Sequence, residues 1–553
     1  MKRYSTFITL SLITLSLFAE PDSKKAARSV FTLKTFDAGG QLLSSTNGFY
    51  IGEDGTAVSS FTPFRGSARA VVIDAQGKEW PVTYMLGAND MYDVAKFQVD
   101  TKKSVALSID TLAAIGTPVW TLPYSGKKEI TLKRGDILKE ETFQGSYPYY
   151  TIKMAATDGI AGSPVINENG HVIGIMQTSA EGQTDQSFAV GVKFAADQKT
   201  NGLSFNDPAL RTTSILKALP DEYSQAQLML FVYGSSQDSL GYRRLVDDFI
   251  QKFPKATDGY TAKAQLASDA NDFDAAKDNM EHAISIADKK DDAHFNYGRL
   301  IFAKEIYKSK IAYKPWNLDK AADEAHQAFA INPLTVYKQL EADVRFAQQR
   351  YADAYNLYQE AIKQQPSSEL YFSAARCKTQ LKDTTGMMAM LDSAVNVQPK
   401  PYLKAAAPYI LARAQAYDNR GEYRKAVLDY LDYEKLMSTE VNDNFYYIRA
   451  KASIKARLFQ QALDDFKKAI EMNPIALYYA ELSALQIRVG QYQEAITNAK
   501  QCVSLDSKMS EGPLFLGYAQ CLNGNKAEGI NNLKQAKALG NDQAQALIDQ
   551  YSK

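Results

Sequence analysis

The amino-acid sequence predicts two structural classes in one chain, an all-β half followed by an all-α half. Short apolar segments separated by glycine-containing turns fill residues 29–202, whereas long helical patterns with few glycines begin after Phe205. The second half also has an internal period of 33 residues, which is typical of stacked helix pairs. A chain of 553 residues is too long for one hydrophobic core, so several domains are expected.

The first element that the sequence predicts is an N-terminal export signal. Lys2 and Arg3 precede an apolar run over residues 7–18, and Ala19 offers a small residue before a polar stretch. This order is typical of a secretory signal peptide, and the run is shorter than the about 20 apolar residues that span a bilayer. We therefore expect residues 1–19 to be removed, no membrane span to remain, and the mature protein to be periplasmic or secreted.

Turn signals define the β half, which we expect over residues 25–202. Gly55, Gly77 and Gly170 each lie in a polar turn between two strand-like apolar segments. Such turns favour β-hairpins. Many short strands at this spacing predict a closed or sandwiched β architecture. Residues 203–256 are then expected to form a helical connector, because the apolar spacing is helix-like and ends at Pro254.

The helical half is expected over residues 257–553, and its period is visible in single residues. Pro333, Pro366 and Pro399 are 33 residues apart, and each follows an alanine by five residues. Ala462 and Ala495 repeat the same spacing. A small residue lets two helices approach closely, and a proline ends the second helix. A plain helical bundle does not maintain such a register.

Two stretches, "YADAYNLYQEAIKQQP" and "LFQQALDDFKKAIEMNP", place an aromatic residue four positions after an alanine, as in Ala354/Tyr358 and Ala462/Phe466. With this pattern the second half resembles the tetratricopeptide repeat family over residues 257–540, with about eight units. The resemblance implies a solenoid whose concave surface binds peptide or protein. Four tyrosines are candidates to line that surface: Tyr446, Tyr447, Tyr478 and Tyr479.

Three stretches of the first half are informative through their order along the chain: "STNGFYIGEDGTAVSSFTPF", "GANDMYDVAKFQV" and "DGIAGSPVINENGHVIGIMQTS". In this order they resemble the trypsin-like serine protease family, especially its bacterial high-temperature-requirement branch. The resemblance covers residues 30–194 and implies an all-β double barrel. Catalysis in such enzymes needs a serine nucleophile, a histidine base and an aspartate that orients the histidine.

The resemblance places only one catalytic residue in this chain. Thr62 stands at the histidine position, Asp93 matches the aspartate, and Ala161 replaces the serine. No histidine occurs before His171, and a threonine hydroxyl cannot act as a general base near neutral pH. We therefore predict a degenerate triad and no enzymatic activity.

Some of the family's geometry can survive these replacements. The resemblance assigns the oxyanion-binding N–H groups to Gly159 and Ala161, and backbone donors do not depend on side chains. Ser163, two residues after Ala161, is the alternative nucleophile, although packing or turn formation explains it more simply. His171 follows a turn and is expected to begin a strand leading away from the site. The sequence leaves open whether the cleft binds peptide or the β half is only a folded platform.

Composition limits the partners. Lys+Arg and Asp+Glu both total 63, so no overall charge attracts nucleic acid or an anionic membrane. The four histidines show no metal-site spacing, and the cysteines at positions 377, 502 and 521 are expected to be core residues. We expect no metal and no cofactor.

The leading hypothesis is an exported protein-interaction scaffold that combines a catalytically inactive protease-like domain with a peptide-binding or protein-binding solenoid. One alternative is an active serine endopeptidase with a non-standard site. Another is a chaperone-like binder, in which the cleft and the repeats both capture unfolded chains. The partner and the oligomeric state do not follow from the sequence.

Overall fold

The computed structural model divides the chain into two compact units, Met1–Ala287 and Asp288–Lys553. It describes residues 20–111, 113–123, 132–155, 159–177, 185–234 and 239–552. The expected signal peptide, residues 1–19, lies outside the described residues. Each unit has its own buried clusters of side chains.

The first unit contains two closed β-barrels with the same strand order. The first barrel has the order β1-β2-β3-β6-β5-β4, with strands β1 Val30–Phe36, β2 Leu42–Tyr50, β3 Thr56–Ser59, β4 Arg69–Ile73, β5 Glu79–Asn89 and β6 Val94–Val99. The second has the order β7-β8-β9-β12-β11-β10, with strands β7 Pro118–Thr121, β8 Lys133–Phe143, β9 Tyr147–Lys153, β10 Pro164–Ile166, β11 Val172–Met176 and β12 Ser187–Gly191. Neighbouring strands of both barrels pair antiparallel. The predicted all-β double barrel is confirmed.

The predicted hairpin turns join adjacent strands of these barrels. Gly55 lies between β2 and β3, Gly77 between β4 and β5, and Gly170 between β10 and β11, each with a positive φ. Glycine adopts such a φ without the strain that a Cβ would cause. Gly55 also lies so close to its neighbours that an added Cβ would be 2.4 Å from the Val99 carbonyl oxygen.

Each barrel encloses a core of alternating inward-facing residues. In the first, the rings of Phe31, Phe64 and Phe97 are fully buried, with Phe31 and Phe64 at 6.2 and 5.1 Å from Phe97. In the second, Ile152 and Val165 are fully buried in a separate cluster. Burial of these large side chains is the main driving force for closing the barrels.

Residues 203–222, the start of the expected helical connector, contain one short 3-10 turn, Leu210–Thr212, and no α-helix, and they extend the first barrel. The amide of Met85 in β5 donates to the Leu216 carbonyl (2.7 Å), and the amide of Ala218 donates back to Met85 (2.9 Å). Leu210 and Ile215 join the apolar core of that barrel. This segment therefore acts as a partial extra strand, and the helices of the connector begin at Tyr223.

The described residues of the first unit form six α-helices. They are α1 Ser23–Ser29, α2 Val192–Ala196, α3 Tyr223–Gly234, α4 Ser239–Lys252, α5 Thr257–Asp269 and α6 Phe273–Ile286. Helices α3 and α4 pack around Phe249 and Met229, which are fully buried. The hydroxyl of Tyr84 in β5 donates to Asp248 in α4 (2.8 Å). The α3–α4 pair is therefore attached to the first barrel.

The second unit consists of consecutive helix pairs. Its helices are α7 Asp291–Tyr307, α8 Leu318–Ile331, α9 Thr335–Ala347, α10 Tyr351–Gln364, α11 Ser368–Gln380, α12 Thr384–Asn396, α13 Ala407–Asn419, α14 Tyr423–Met437, α15 Asp443–Lys455, α16 Phe459–Met472, α17 Ala476–Arg488, α18 Tyr492–Leu505, α19 Glu511–Leu522, α20 Lys526–Ala538 and α21 Ala544–Tyr551. The periodic alanines Ala361, Ala394, Ala462 and Ala495 are all fully buried. The predicted all-α repeat architecture is confirmed.

Buried ion pairs join helices within these pairs. Arg449 of α15 is fully buried and donates through two nitrogens to Asp465 of α16 (3.0 and 2.7 Å). Arg413 of α13 makes the same two-nitrogen contact to Asp429 of α14 (2.8 and 2.8 Å). In both pairs the acid follows the arginine by 16 residues, so the contact is a feature of the repeat.

Two of the four candidate groove tyrosines are core residues. Tyr446 and Tyr478 are 7% and 4% exposed, and their hydroxyls donate to Glu434 (2.9 Å) and Asp443 (2.8 Å). These two side chains therefore stabilise the stack instead of lining a surface. The spacing of tyrosines along the sequence does not distinguish a buried position from one on the binding surface, because a helix face that contacts the neighbouring helix has the same spacing.

The cysteines at positions 377, 502 and 521 are free and buried, and burial raises the pKa of Cys377 and of Cys502 to about 11. Across the part of the chain that the structure describes, no helix is both long and apolar enough to cross a bilayer. In the same part, no cluster of three or more His, Cys, Asp or Glu side chains is arranged to hold a metal ion.

Candidate functional site

The structure brings Thr62 and Asp93 together at one end of the first barrel. Thr62 begins a short 3-10 turn, Thr62–Phe64, directly after β3, and Asp93 lies in the connection between β5 and β6. Strands β3 and β6 are neighbours, with Ser59 opposite Ala95. Because antiparallel neighbours place the end of one strand beside the start of the other, this pairing puts the two residues next to each other.

Asp93 is bound to the backbone of this turn. Its Oδ1 accepts the N–H of Phe61 (3.0 Å) and the N–H of Thr62 (2.6 Å). Hydrogen bonds to an ionised carboxylate are stronger than neutral ones. The carboxylate therefore determines the position of the Thr62 backbone, while the Thr62 side chain is exposed.

The connection that carries Asp93 is supported by aromatic packing. Asp93 has a φ of 48°, in the left-handed region that aspartate tolerates better than most residues. The ring of Tyr92 stacks on Phe143 at 4.1 Å and meets the edge of Phe194 at 5.3 Å. The side-chain amide of Gln177 donates to the Tyr92 carbonyl. Residues of the second barrel thus stabilise the Asp93 backbone.

The turn containing Gly159 and Ala161 is bound to β2 of the first barrel. The Ala161 carbonyl accepts the Thr46 hydroxyl (3.0 Å) and the Asn47 N–H (3.4 Å). The side-chain amide of Asn47 donates to the Gly159 carbonyl. The sequence did not indicate a role for Thr46 or Asn47, because their partners are more than 100 residues away.

Close approach of the two barrels explains the glycine in this turn. Gly162 has a φ of 78°, and an added Cβ would lie 2.1 Å from the Asn47 carbonyl oxygen and 2.8 Å from Ser59 Oγ. Ser59 in turn donates to that same carbonyl (2.5 Å). The turn of the second barrel therefore contacts the strands that lead to Thr62.

Ser163 is fully buried next to this turn. Its amide donates to the Ile160 carbonyl (3.1 Å), and its carbonyl accepts the Met176 N–H (2.9 Å). Its hydroxyl has no hydrogen-bond partner among the described residues. A hydroxyl in this position cannot reach a substrate without a rearrangement of the turn.

His171 lies at the start of β11, close to Asp110. Its Nδ1 is 3.9 Å from Asp110 Oδ2, and its ring is 45% exposed. Its amide donates to Asn167 Oδ1 (3.0 Å). None of these partners belongs to the Thr62–Asp93 corner.

The chemistry available at the corner is therefore limited. Asp93 supplies a carboxylate already engaged by two amides, Thr62 supplies an exposed hydroxyl, and Ala161 supplies no reactive atom. Among the described residues, the N–H groups of Gly159 and Ala161 have no protein acceptor. Backbone donors of this kind can bind a carbonyl oxygen or an oxyanion.

The two six-stranded barrels have identical strand order, which is the double-barrel fold of trypsin-like domains. Thr62 and Asp93 lie on one barrel, and the turn of Gly159 and Ala161 lies on the other. A family model described as "Trypsin-like peptidase domain" matches residues 46–175. A second model, "Tetratricopeptide repeat", matches residues 257–290. The matches to a trypsin-like peptidase domain and to a tetratricopeptide repeat occur in the predicted order along the chain.

Three solved structures are similar to part of this chain. The active form of the Rv3671c protease from M. tuberculosis is 21% identical, with 36% of this chain and 92% of that chain covered and a TM-score of 0.29. The inactive form of Rv3671c from M. tuberculosis H37Rv, a serine-to-alanine mutant, is 23% identical, with 32% and 86% covered and a TM-score of 0.27. The HtrA-type protease AlgW with a tripeptide is 19% identical, with 32% of this chain and 62% of that chain covered and a TM-score of 0.28.

Proposed function

We propose that this protein is an exported protein-interaction scaffold whose trypsin-like domain is catalytically inactive. The proposal rests on which residues occupy the three catalytic positions. Asp93 retains the orienting carboxylate, but Thr62 and Ala161 replace the base and the nucleophile. Formation of an acyl-enzyme requires all three roles together.

The described residues around the corner offer no clear replacement. Ser163 is the nearest serine to Ala161 along the chain, and it is buried with its hydroxyl away from solvent. His171 is placed beside Asp110, and a base must lie within hydrogen-bond reach of its nucleophile. These contacts support the scaffold over an endopeptidase with a non-standard site.

The binding surfaces in this proposal are the helical repeats and the cleft of the trypsin-like domain. Stacked repeats present an extended surface that commonly binds peptides or proteins. In the cleft, the amides of Gly159 and Ala161 can bind a peptide carbonyl without any catalytic side chain. The proposed partners are therefore polypeptides, and the proposal assigns no role to nucleic acid, metal or cofactor.

Activity tests distinguish the scaffold from a hydrolase. The purified mature protein should neither degrade unfolded casein nor react with a fluorophosphonate probe, because loss of the nucleophile and base as a unit removes about 10⁶ in rate. Probe labelling that disappears in Ser163→Ala would make Ser163 the nucleophile and would reject the proposal.

A restored triad provides the matched positive control. The double variant Thr62→His/Ala161→Ser should gain slow labelling by the probe, because Asp93 already contacts the backbone at residue 62. The triple variant with Asp93→Asn added should lose most of that gain, since an imidazole without its carboxylate partner adopts the wrong tautomer. Equal labelling with and without Asp93 would show that this corner does not act as a triad.

Export and partner choice need separate measurements. Mass spectrometry of the mature N-terminus should find a start near Glu20, whereas an intact Met1 in the cell envelope would exclude removal of the signal. Affinity capture from envelope extract should yield one stoichiometric polypeptide partner. A broad mixture of unfolded proteins would instead favour the chaperone-like alternative.

A further inference from the structure

One connection in the helical unit departs from the repeat. Within the other pairs the two helices are joined by three residues, for example residues 348–350 between α9 and α10 and residues 456–458 between α15 and α16. Helices α7 and α8 are joined by residues 308–317 instead, and α7 has 17 residues where α9 has 13. Pairing of the helices does not require this insertion, because the neighbouring pairs form without it.

The segment formed by the end of α7 and this insertion, residues 306–316, is anchored at its far end. Trp316 is 3% exposed, and its Nε1 donates to the Tyr297 hydroxyl of α7 (3.1 Å). The ring of Tyr313 meets the Trp316 ring edge-on at 5.4 Å. The amide of Ile311 donates to the Lys308 carbonyl (3.0 Å). The segment is thus held in a compact turn against its own helix.

This turn exposes large apolar side chains. Tyr307 is 85% exposed, which is the highest value among the large apolar side chains of the described residues, and Ile306 and Ile311 are 44% and 41% exposed. Single exposed apolar residues are ordinary on a protein surface. Here three of them lie together within residues 306–311, where α7 ends and the insertion begins.

The same turn carries charge of one sign. Lys308, Lys310 and Lys314 lie in it, and no acidic residue occurs between Glu305 and Asp319. The whole chain has a formal net charge of +0, so this basic stretch is a local feature that the overall composition conceals.

We propose that residues 306–316 dock the helical unit on an anionic lipid bilayer, with Tyr307 and the two isoleucines in the interface and the three lysines at the headgroups. Tyrosine is favoured at the boundary between water and hydrocarbon. Lysines next to such a segment are attracted by the negative potential of anionic lipids. Contact of this kind is peripheral and reversible.

The size of the turn favours a bilayer over a protein or a nucleic acid as its partner. A stable protein interface needs about 20–30 residues from each partner, more than the segment 306–316 supplies. Nucleic-acid binding rests mainly on cationic contacts to phosphate and gives no role to two exposed isoleucines. A bilayer accommodates both the apolar side chains and the lysines at one flat boundary.

Vesicle binding of the full-length mature chain tests this proposal. We expect sedimentation with vesicles that contain phosphatidylglycerol, weaker binding to phosphatidylcholine alone, and release as salt is raised, since salt screens exposed charges. Lys308→Glu/Lys310→Glu/Lys314→Glu should weaken binding by at least about 100-fold, because each lysine contributes about fivefold. Tyr307→Ser should weaken it by about tenfold with little change in the salt dependence.

A charge-matched control separates the turn from the net charge of the protein. Lys467→Glu/Lys500→Glu/Lys534→Glu makes the same charge change at exposed positions of other helices, and it should bind vesicles like the unmodified chain. Equal loss in both triple variants would overturn the proposal. So would equal binding to neutral and anionic vesicles, or lysine-dependent binding to polyglutamate without binding to vesicles, which would identify an acidic polypeptide as the partner.

Discussion

At the scale of residues, the Asp93 carboxylate has a structural task that is independent of proton transfer. It accepts the amides of Phe61 and Thr62, and these amides begin the short turn that follows β3. Loss of an ionised acceptor leaves two donors without their partner, which costs more than an average hydrogen bond. The presence of an aspartate at this position is therefore explained without catalysis.

Asp93→Ala should weaken the Thr62 turn by about 1–3 kcal/mol, with an added cost because alanine tolerates a positive φ less well. Hydrogen exchange followed by mass spectrometry should show faster exchange in peptides that contain Phe61 and Thr62. Asp90→Ala is the control, because Asp90 is about half exposed in its pair with Arg65 and surface pairs contribute little. Unchanged exchange in Asp93→Ala would contradict the structural role.

Glu434 of α14 provides a residue-level prediction about pH. Its carboxylate accepts Lys468 (2.8 Å), Arg449 (2.7 Å) and Tyr446 (2.9 Å). Burial alone would raise its pKa, but these partners together lower the pKa from 4.5 to about 2. Because the folded-state pKa is lower than the ordinary value, the ionised carboxylate stabilises the fold above about pH 4.5 and this contribution is lost as the pH falls towards 2.

Glu434→Gln should therefore reduce helical stability at neutral pH and flatten its decline in acid. Urea unfolding of the helical signal at several pH values measures both effects. The difference between the two proteins should shrink as the pH falls towards 2, where Glu434 becomes about half protonated, and should vanish only at lower pH. Glu471→Gln, at an exposed position, should follow the unmodified chain throughout. A constant difference between Glu434→Gln and the unmodified chain at all pH values would show that the carboxylate charge is not the cause.

At the scale of elements, the turn before β10 shows two glycines with different constraints. Both Gly159 and Gly162 have a positive φ, but an added Cβ at Gly159 meets nothing within 4 Å, whereas one at Gly162 would overlap the Asn47 carbonyl oxygen. Backbone strain alone therefore acts at Gly159. Strain and overlap act together at Gly162.

Gly162→Ala should destabilise the barrels by about 3 kcal/mol or more, and Gly159→Ala by about 1–2 kcal/mol. Unfolding in urea can be followed by tryptophan fluorescence in a Trp316→Phe background, where Trp80 and Trp120 of the barrels remain the only tryptophans. Equal costs for the two substitutions would mean that the close contact with β2 is absent.

Some of these elements were predictable from the sequence, and one was not. The alanines of the 33-residue series predicted the helix pairs correctly. Two helices that pack closely need a small residue at each point of contact, so the alanines mark these points in the sequence. Residues 203–222 gave no such signal. Leu210 and Ile215 follow neither a helical nor a strand period. Their position depends on packing into the core of the first barrel, which a local pattern does not encode.

At the scale of the whole molecule, the class of each half was predictable and the contacts of the site were predictable only in part. The three motif stretches placed Thr62 and Asp93 in comparable positions of the family, and the structure brings them into contact. The bonds from Thr46 and Asn47 to the turn of Ala161 were not predictable. They join distant segments through backbone carbonyls, which any residue supplies, so no residue type marks the contact.

The division at Ala287 leads to a prediction about autonomous folding. Several buried clusters lie wholly after this point, including one from Ala342 to Cys377 and one from Ala414 to Tyr478. A fragment Asp288–Lys553 should therefore be soluble, strongly helical by circular dichroism, and cooperative in urea, because a repeat stack is stabilised mainly by contacts between neighbouring repeats.

A second fragment, residues 443–553, is the matched test of this argument. It begins at α15 and separates Phe445 from Tyr430, whose rings are 5.8 Å apart, and Arg449 from Glu434. Its first helix pair would then expose an apolar face and leave one partner of the buried Arg449 absent. We expect lower helicity, early unfolding of α15 and α16 in hydrogen exchange, and a tendency to aggregate. If residues 443–553 unfold as cooperatively as Asp288–Lys553, stability in this unit is local to each pair, and contacts between pairs contribute little.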